Sequence, residues 1–119
     1  MRDRIKFRGG FLLPAITMAT AIFTTDMAGA ADNSSQLVTG RNVFTKLAVP
    51  PCGLCHTLQD AGTSGEIGAK LEEIKPDAAR VIEAVRKGLG VMPSYAGKLT
   101  EEQIQAVARY VEHAAAMAK

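Results

Sequence analysis

Both cysteines of this 119-residue chain fall in one five-residue run, Cys52-Gly53-Leu54-Cys55-His56. No other feature restricts the available folds as strongly. A Cys-x-x-Cys-His run is the attachment signature of c-type haem. The spacing has a chemical reason. Two thiols separated by two residues can each add across one vinyl group on the porphyrin edge. The residue that follows is then held under the iron, where an imidazole nitrogen can ligate one face. A chain built on this run needs a sixth ligand, a dry pocket and a transport address.

Three other uses of the pair compete with this one. A redox dithiol expects a strand–helix setting within a βαβ pattern, and no run of alternating β-branched residues lies nearby. A zinc site would need further ligands, but there is no second cysteine pair and the only other histidine is His113. A small disulfide is the third. The motif and its context favour one covalently bound haem c.

The first 30 residues read as an address. Arg2, Arg4, Lys6 and Arg8 form a basic segment, and Phe11 to Phe23 is apolar apart from Pro14, Thr17 and Thr20. Ala28-Gly29-Ala30 then supplies the small-x-small pattern of a signal peptidase site. The apolar run is shorter than the roughly 20 residues a membrane-spanning helix needs, so no stable anchor is expected. The expectation is a cleaved signal peptide over 1–30, cut before Ala31, and a periplasmic haem domain over 31–119. Four of the 14 Lys/Arg and two of the 12 Asp/Glu lie in the leader, which leaves ten of each in the mature domain. A balanced domain gives no reason to expect nucleic acid or anionic membrane as a partner. A domain this small has a marginal core of its own, and its only aromatics are Phe44, Tyr95 and Tyr110. A buried porphyrin would supply the missing apolar surface.

Along the mature chain the pattern is all-α, with no convincing strand. Ser34 or Ser35 can cap a helix running to about Ala48, with Leu37, Val43, Phe44 and Leu47 at near-helical spacing. Gly40 inside it costs roughly 1 kcal/mol against alanine, so it is either tolerated or kept for close approach of another backbone. Pro50-Pro51 ends that helix and delivers the chain to the motif. Asp60 to Gly68 reads as a loop whose glycines could let the backbone wrap a flat cofactor. Leu71 and Ile74 suit a short helical turn. Pro76 and Asp77 open a clearer helix through Lys87, with Val81, Ile82 and Val85 as its apolar stripe. Gly88 to Lys98 is a second loop, holding Met92-Pro93. Thr100 and Gln103 form a capping box for the last helix, whose face is Ile104, Val107, Ala108 and Val111.

Electron-transfer haems with both axial positions filled take His plus Met, or two His. In the mature chain the soft donors are Met92, Met117 and His113. Met117 lies two residues from the C-terminus, and His113 has solvated neighbours on the last helix. Met92, in a loop stiffened by Pro93, is the expected partner of His56; the ordinary alternative for such a methionine is core filling. Two filled axial positions leave no site for oxygen or substrate, which implies an electron carrier.

These residues resemble the class I c-type cytochromes, in particular the small bacterial monohaem type, over the domain from about Gln36 to Ala115. Cys52, Cys55 and His56 match the attachment motif and Met92-Pro93 the distal ligand loop. The resemblance implies a class I cytochrome c fold of about three to five helices around one haem. It also implies that Gly40 and Phe44 pack against Tyr110 on the last helix. The family's Gly-Pro-x-Leu element, whose proline carbonyl accepts a hydrogen bond from the proximal histidine, reads Gly68-Ala69-Lys70-Leu71 here. The proline is missing, but Ala69 keeps a carbonyl. Tyr95 is a candidate for hydrogen bonding a propionate, or a buried tyrosine satisfied elsewhere.

Cys52 to Leu58, with the glycine-rich segment after it, is also similar to cytochromes paired with periplasmic molybdenum sulfite dehydrogenases. The implied role is a soluble, non-catalytic carrier that takes electrons from a dehydrogenase, such as sulfite dehydrogenase. It would pass them to a terminal oxidase or another cytochrome. The alternative is a haem c subunit held within such a dehydrogenase complex. A haem-based gas sensor or peroxidase-like enzyme would need an open sixth site and a catalytic distal histidine or arginine, and neither is evident.

Overall fold

The C-terminal helix forms where its capping signal sits. In the computed structural model, which describes residues 9–10 and 28–119, the Thr100 hydroxyl accepts from the Gln103 amide at 3.3 Å. The Gln103 side chain in turn accepts from the Thr100 amide at 2.9 Å. This reciprocal pair satisfies two of the donors that a helix start leaves open. The signal segment assigned above lies outside the described residues up to Met27, apart from Gly9 and Gly10.

Four α-helices make the frame: α1 (Ala28–Asn42), α2 (Leu71–Ile74), α3 (Ala78–Lys87) and α4 (Glu101–Met117). Asp77 caps α3 by accepting from the Arg80 amide at 2.8 Å. Helix α1 starts earlier than Ser34 or Ser35. Its alanine-rich opening is a good helix former, and Ser35 is spent inside the helix, donating to the Asp32 carbonyl at 2.9 Å. Its far end does not stop at once. Val43–Leu47 continues as a π-helical turn closed by the Ala48 amide on the Val43 carbonyl at 3.1 Å. That wider turn brings Val43 and Phe44 together into the core.

Helices α1 and α4 cross at Gly40. A Cβ there would overlap the Ala106 carbonyl oxygen and sit 2.5 Å from Tyr110 Cβ. The close-approach reading of Gly40 therefore holds. Phe44 and Tyr110 meet edge to face just beyond the crossing, centroids 6.0 Å apart at 64°. The core runs from this contact through Val107, Val111 and Leu58.

The expectation of no strand needs correcting. Thr57–Leu58 (β1) and Thr63–Ser64 (β2) pair antiparallel, Thr57 opposite Ser64 and Leu58 opposite Thr63. Two-residue strands are too short to leave an alternating pattern, which explains why the sequence hides them. The architecture remains overwhelmingly helical. Among the described residues no helix is long and apolar enough to cross a membrane.

Candidate functional site

Pro51 leads into a 3-10 turn, Cys52–Leu54, and Cys52, Cys55 and His56 all line one cavity. The Cys55 and His56 amides both donate to the Cys52 carbonyl, at 3.1 and 3.0 Å. The segment after the motif folds back onto it, with the Gly68 amide donating to the Cys55 carbonyl at 2.7 Å.

His56 is held from its far side. Its Nδ1 lies 2.8 Å from the Ala69 carbonyl oxygen. A carbonyl can only accept, so Nδ1 carries the proton and Nε2 keeps its lone pair for a ligand. The contact survives without the family's proline because it uses backbone. Gly68 makes it possible: a Cβ there would stand 2.5 Å from the imidazole Cε1. Glycine in this loop thus admits the histidine ring itself, rather than serving only to wrap a cofactor.

Cys52, Cys55 and His56 border a cavity of about 360 Å³. Phe44, Leu71, Val81, Val85, Val107 and Val111 contribute its apolar lining, and Met92-Pro93 stands among its lining residues with Leu89 and Val91. Met92 is half-buried and packs on the core. Its loop is tied to α3: the Tyr95 amide donates to the Val85 carbonyl at 2.8 Å and the Ser94 hydroxyl to the Arg86 carbonyl at 2.5 Å. These bonds satisfy carbonyls that the end of α3 would leave open. The Leu89 and Met92 backbones also exchange two bonds of 3.0 Å. By contrast His113 and Met117 are exposed, and neither borders the cavity.

Tyr95 is 3 % exposed and donates to the Pro50 carbonyl at 2.6 Å, so its hydroxyl is satisfied within the protein. Burial, then the two neighbouring thiols, pushes its phenol up to about 12. Burial pushes the Cys52 thiol up to about 11, outweighing a backbone hydrogen bond that lowers it; the Cys55 thiol raises it further. Reactive redox dithiols have depressed thiol pKa values, and burial shifts Cys52 in the opposite direction. Among the described residues no cluster of three or more His, Cys, Asp or Glu could hold a metal ion.

Sequence reasoning missed two contributors. Thr63 reaches back to the motif: its hydroxyl donates to the His56 carbonyl at 2.9 Å. Asp60, in the turn between β1 and β2, accepts from the Tyr110 hydroxyl at 2.6 Å and pairs with Arg41 at 3.8 Å. The loop composition marked both positions, but a bond from a side chain to a backbone carbonyl seven residues back, or to a partner 50 residues away, leaves no periodic pattern.

An apolar cavity bordered by two thiols and an imidazole with a free Nε2 suits a covalently attached porphyrin. The site thus defines a haem-binding protein of the c type, and the comparisons agree. The family model described as cytochrome c oxidase, cbb3-type, subunit III matches residues 35–111. Cytochrome c6 of Thermosynechococcus vestitus is 33% identical over 106 residues, covering 82% of this chain and 83% of that protein. Chloroplastic cytochrome c6 of Chlamydomonas reinhardtii is 33% identical over 113 residues, covering 84% of this chain and 68% of that protein. The crystal structure of the c-type cytochrome SorU from Sinorhizobium meliloti matches with TM-score 0.67 and 49% identity, covering 69% of this chain and 93% of that one. The chain belongs to the cytochrome c family, as a small class I c-type cytochrome with one covalently attached haem c. It is a haem electron carrier and not an enzyme.

Proposed function

We propose that the carrier holds its haem through thioethers from Cys52 and Cys55, with His56 and Met92 as the two axial ligands. The observation that carries this reading is the shared cavity: His56, with Nε2 free, and the half-buried Met92 both border it, whereas Met117 and His113 do not. The haem, when bound, takes up and releases one electron at its iron. Ala69 fixes the tautomer and ring orientation of His56. The bonds from Ser94 and Tyr95 to the end of α3 hold the Met92 loop in one place. The valines and leucines around the crevice exclude water. Fixed ligands on both faces mean little rearrangement between redox states, which suits a carrier.

The same reading assigns residues 1–30 to a cleaved signal peptide and the mature domain to the periplasm, where thiols and haem meet. Redox proteins are the partners. A sulfite dehydrogenase as donor rests on the likeness of Cys52–Leu58 and the glycine-rich segment to cytochromes that serve such enzymes. A downstream oxidase or cytochrome would be the acceptor.

Oxidised protein should show a weak near-infrared methionine–iron band, and Met92→Ala should abolish it and lower the midpoint potential. Survival of the band in that variant would remove Met92 from the ligand set. Failure of a purified sulfite dehydrogenase to reduce the protein would discard that donor alone.

A further inference from the structure

His56 is held by its backbone as well as by its ring. Thr63 lies on β2, directly across from Leu58. Its single hydroxyl proton goes to the His56 carbonyl at 2.9 Å, the Leu58 carbonyl being more distant at 3.4 Å. The same oxygen accepts from the Leu58 amide at 3.2 Å. Its methyl rests on the motif at Gly53, leaving no room there for a Cβ. One side chain therefore touches the motif at its second residue and at its last.

Thr63 is itself anchored from both directions. The Thr57 hydroxyl donates to the Gly65 carbonyl at 2.9 Å, closing the open end of the hairpin. At the turn, Asp60 is bound by Tyr110 from α4 and by Arg41 from α1, whose guanidinium also reaches the Asp60 carbonyl at 3.0 Å. The hairpin is a short strut between the helix pair and the motif.

We propose that Thr63 is a positioning residue for the axial imidazole: its hydroxyl fixes the His56 backbone so that Nδ1–H stays aligned on the Ala69 carbonyl. This rests on His56 being an iron ligand, as proposed above. A well-held Nδ1–H makes the imidazole a stronger donor, which favours the oxidised iron. Loosening the His56 carbonyl weakens that alignment, so the potential should rise.

The test compares Thr63→Val, which keeps the shape and removes the hydroxyl, with Thr63→Ser, which keeps the hydroxyl and removes the methyl. Both are made in the holoprotein and read by midpoint potential, visible spectrum and denaturant midpoint. The expected result is a raised potential in Thr63→Val and a wild-type potential in Thr63→Ser, both with low-spin spectra. An unchanged potential in Thr63→Val, even with lowered stability, overturns the proposal and leaves a structural bond only. If Thr63→Val fails to retain haem, Thr63→Ser decides: a wild-type potential supports the hydroxyl's role, and a raised one overturns it in favour of methyl packing. Failure of the ligand reading is separable, because it would show as an atypical spectrum in the wild type.

Discussion

At Gly40 a single hydrogen in place of a methyl group decides whether the terminal helices can meet. The obstacles to a Cβ are the Ala106 carbonyl and Tyr110 Cβ, neither of them the loose end of a flexible side chain. Gly40→Ala would gain about 1 kcal/mol of helix propensity. Overpacking against backbone costs typically 1–3 kcal/mol, occasionally more, and should outweigh it. A net loss of about 1 kcal/mol is expected in urea unfolding of the holoprotein; a neutral or stabilising result would mean that the helices can separate at the crossing. Tyr95 offers a second test. Tyr95→Phe leaves the Pro50 carbonyl without its partner and should cost about 1 kcal/mol near neutral pH. Because burial, then the two neighbouring thiols, raises the folded-state phenol to about 12, its contribution is complete below the ordinary value near 10. It fades as pH rises from about 10 toward about 12, where the unfolded chain ionises first. The variant should therefore lose stability less steeply than wild type across that window. Parallel alkaline limbs would show that this phenol does not contribute.

Among the elements, those with local signals were the legible ones. The capping box at Thr100 and Gln103, the Asp77 cap and the valine stripe of α3 all lie within one or two turns, and each appears where its residues put it. Gly40, Phe44 and Tyr110 were legible through family resemblance, since nothing in their spacing pairs residues this far apart. The β1–β2 hairpin was not legible. Its strands are two residues each, and what holds it is a side-chain bond from Thr63 back to His56 and the long-range bonds of Asp60 to Arg41 and Tyr110. Helix α1 starts before Ser34 and Ser35 because serine, a good cap, also tolerates a helix interior when it can bond back to a carbonyl. A prediction follows at this scale. Asp60→Ala removes the acceptor of the buried Tyr110 hydroxyl, at a cost of about 1–3 kcal/mol. Asp60→Asn keeps an acceptor and loses only the ion pair with an exposed Arg41, so it should cost under about 1 kcal/mol. Thermal unfolding of the two holoproteins distinguishes them; equal losses would assign the hairpin tether to charge rather than to the tyrosine bond.

Taken whole, the molecule is a thin helical shell around space reserved for its haem. The apolar side chains facing that space, from Phe44, Leu71, Val81, Val85, Val107 and Val111, come from every layer of the fold. An unfilled apolar cavity costs about 24 cal/mol per Å³ in a well-packed protein. For about 360 Å³ that amounts to roughly 9 kcal/mol. Water entering an open crevice would reduce this figure, so it is an upper bound. Even so it is comparable to the whole stability of a small domain, about 5–15 kcal/mol. The chain without haem should therefore not keep this fold. Replacing both thiols, Cys52→Ser with Cys55→Ser, prevents covalent attachment while changing few packing contacts. In the purified, haem-free variant the prediction is loss of cooperative thermal unfolding, a large fall in helical circular dichroism and binding of a hydrophobic dye. The α1–α4 crossing at Gly40 should be the last contact to survive, because Gly40, Ala106 and Tyr110 pack on one another and do not line the cavity; protected amides, if any remain, should cluster around these three residues. A haem-free variant that unfolds cooperatively at the holoprotein's midpoint would show that the protein core suffices by itself, and the haem would then be a passenger in the fold rather than its centre.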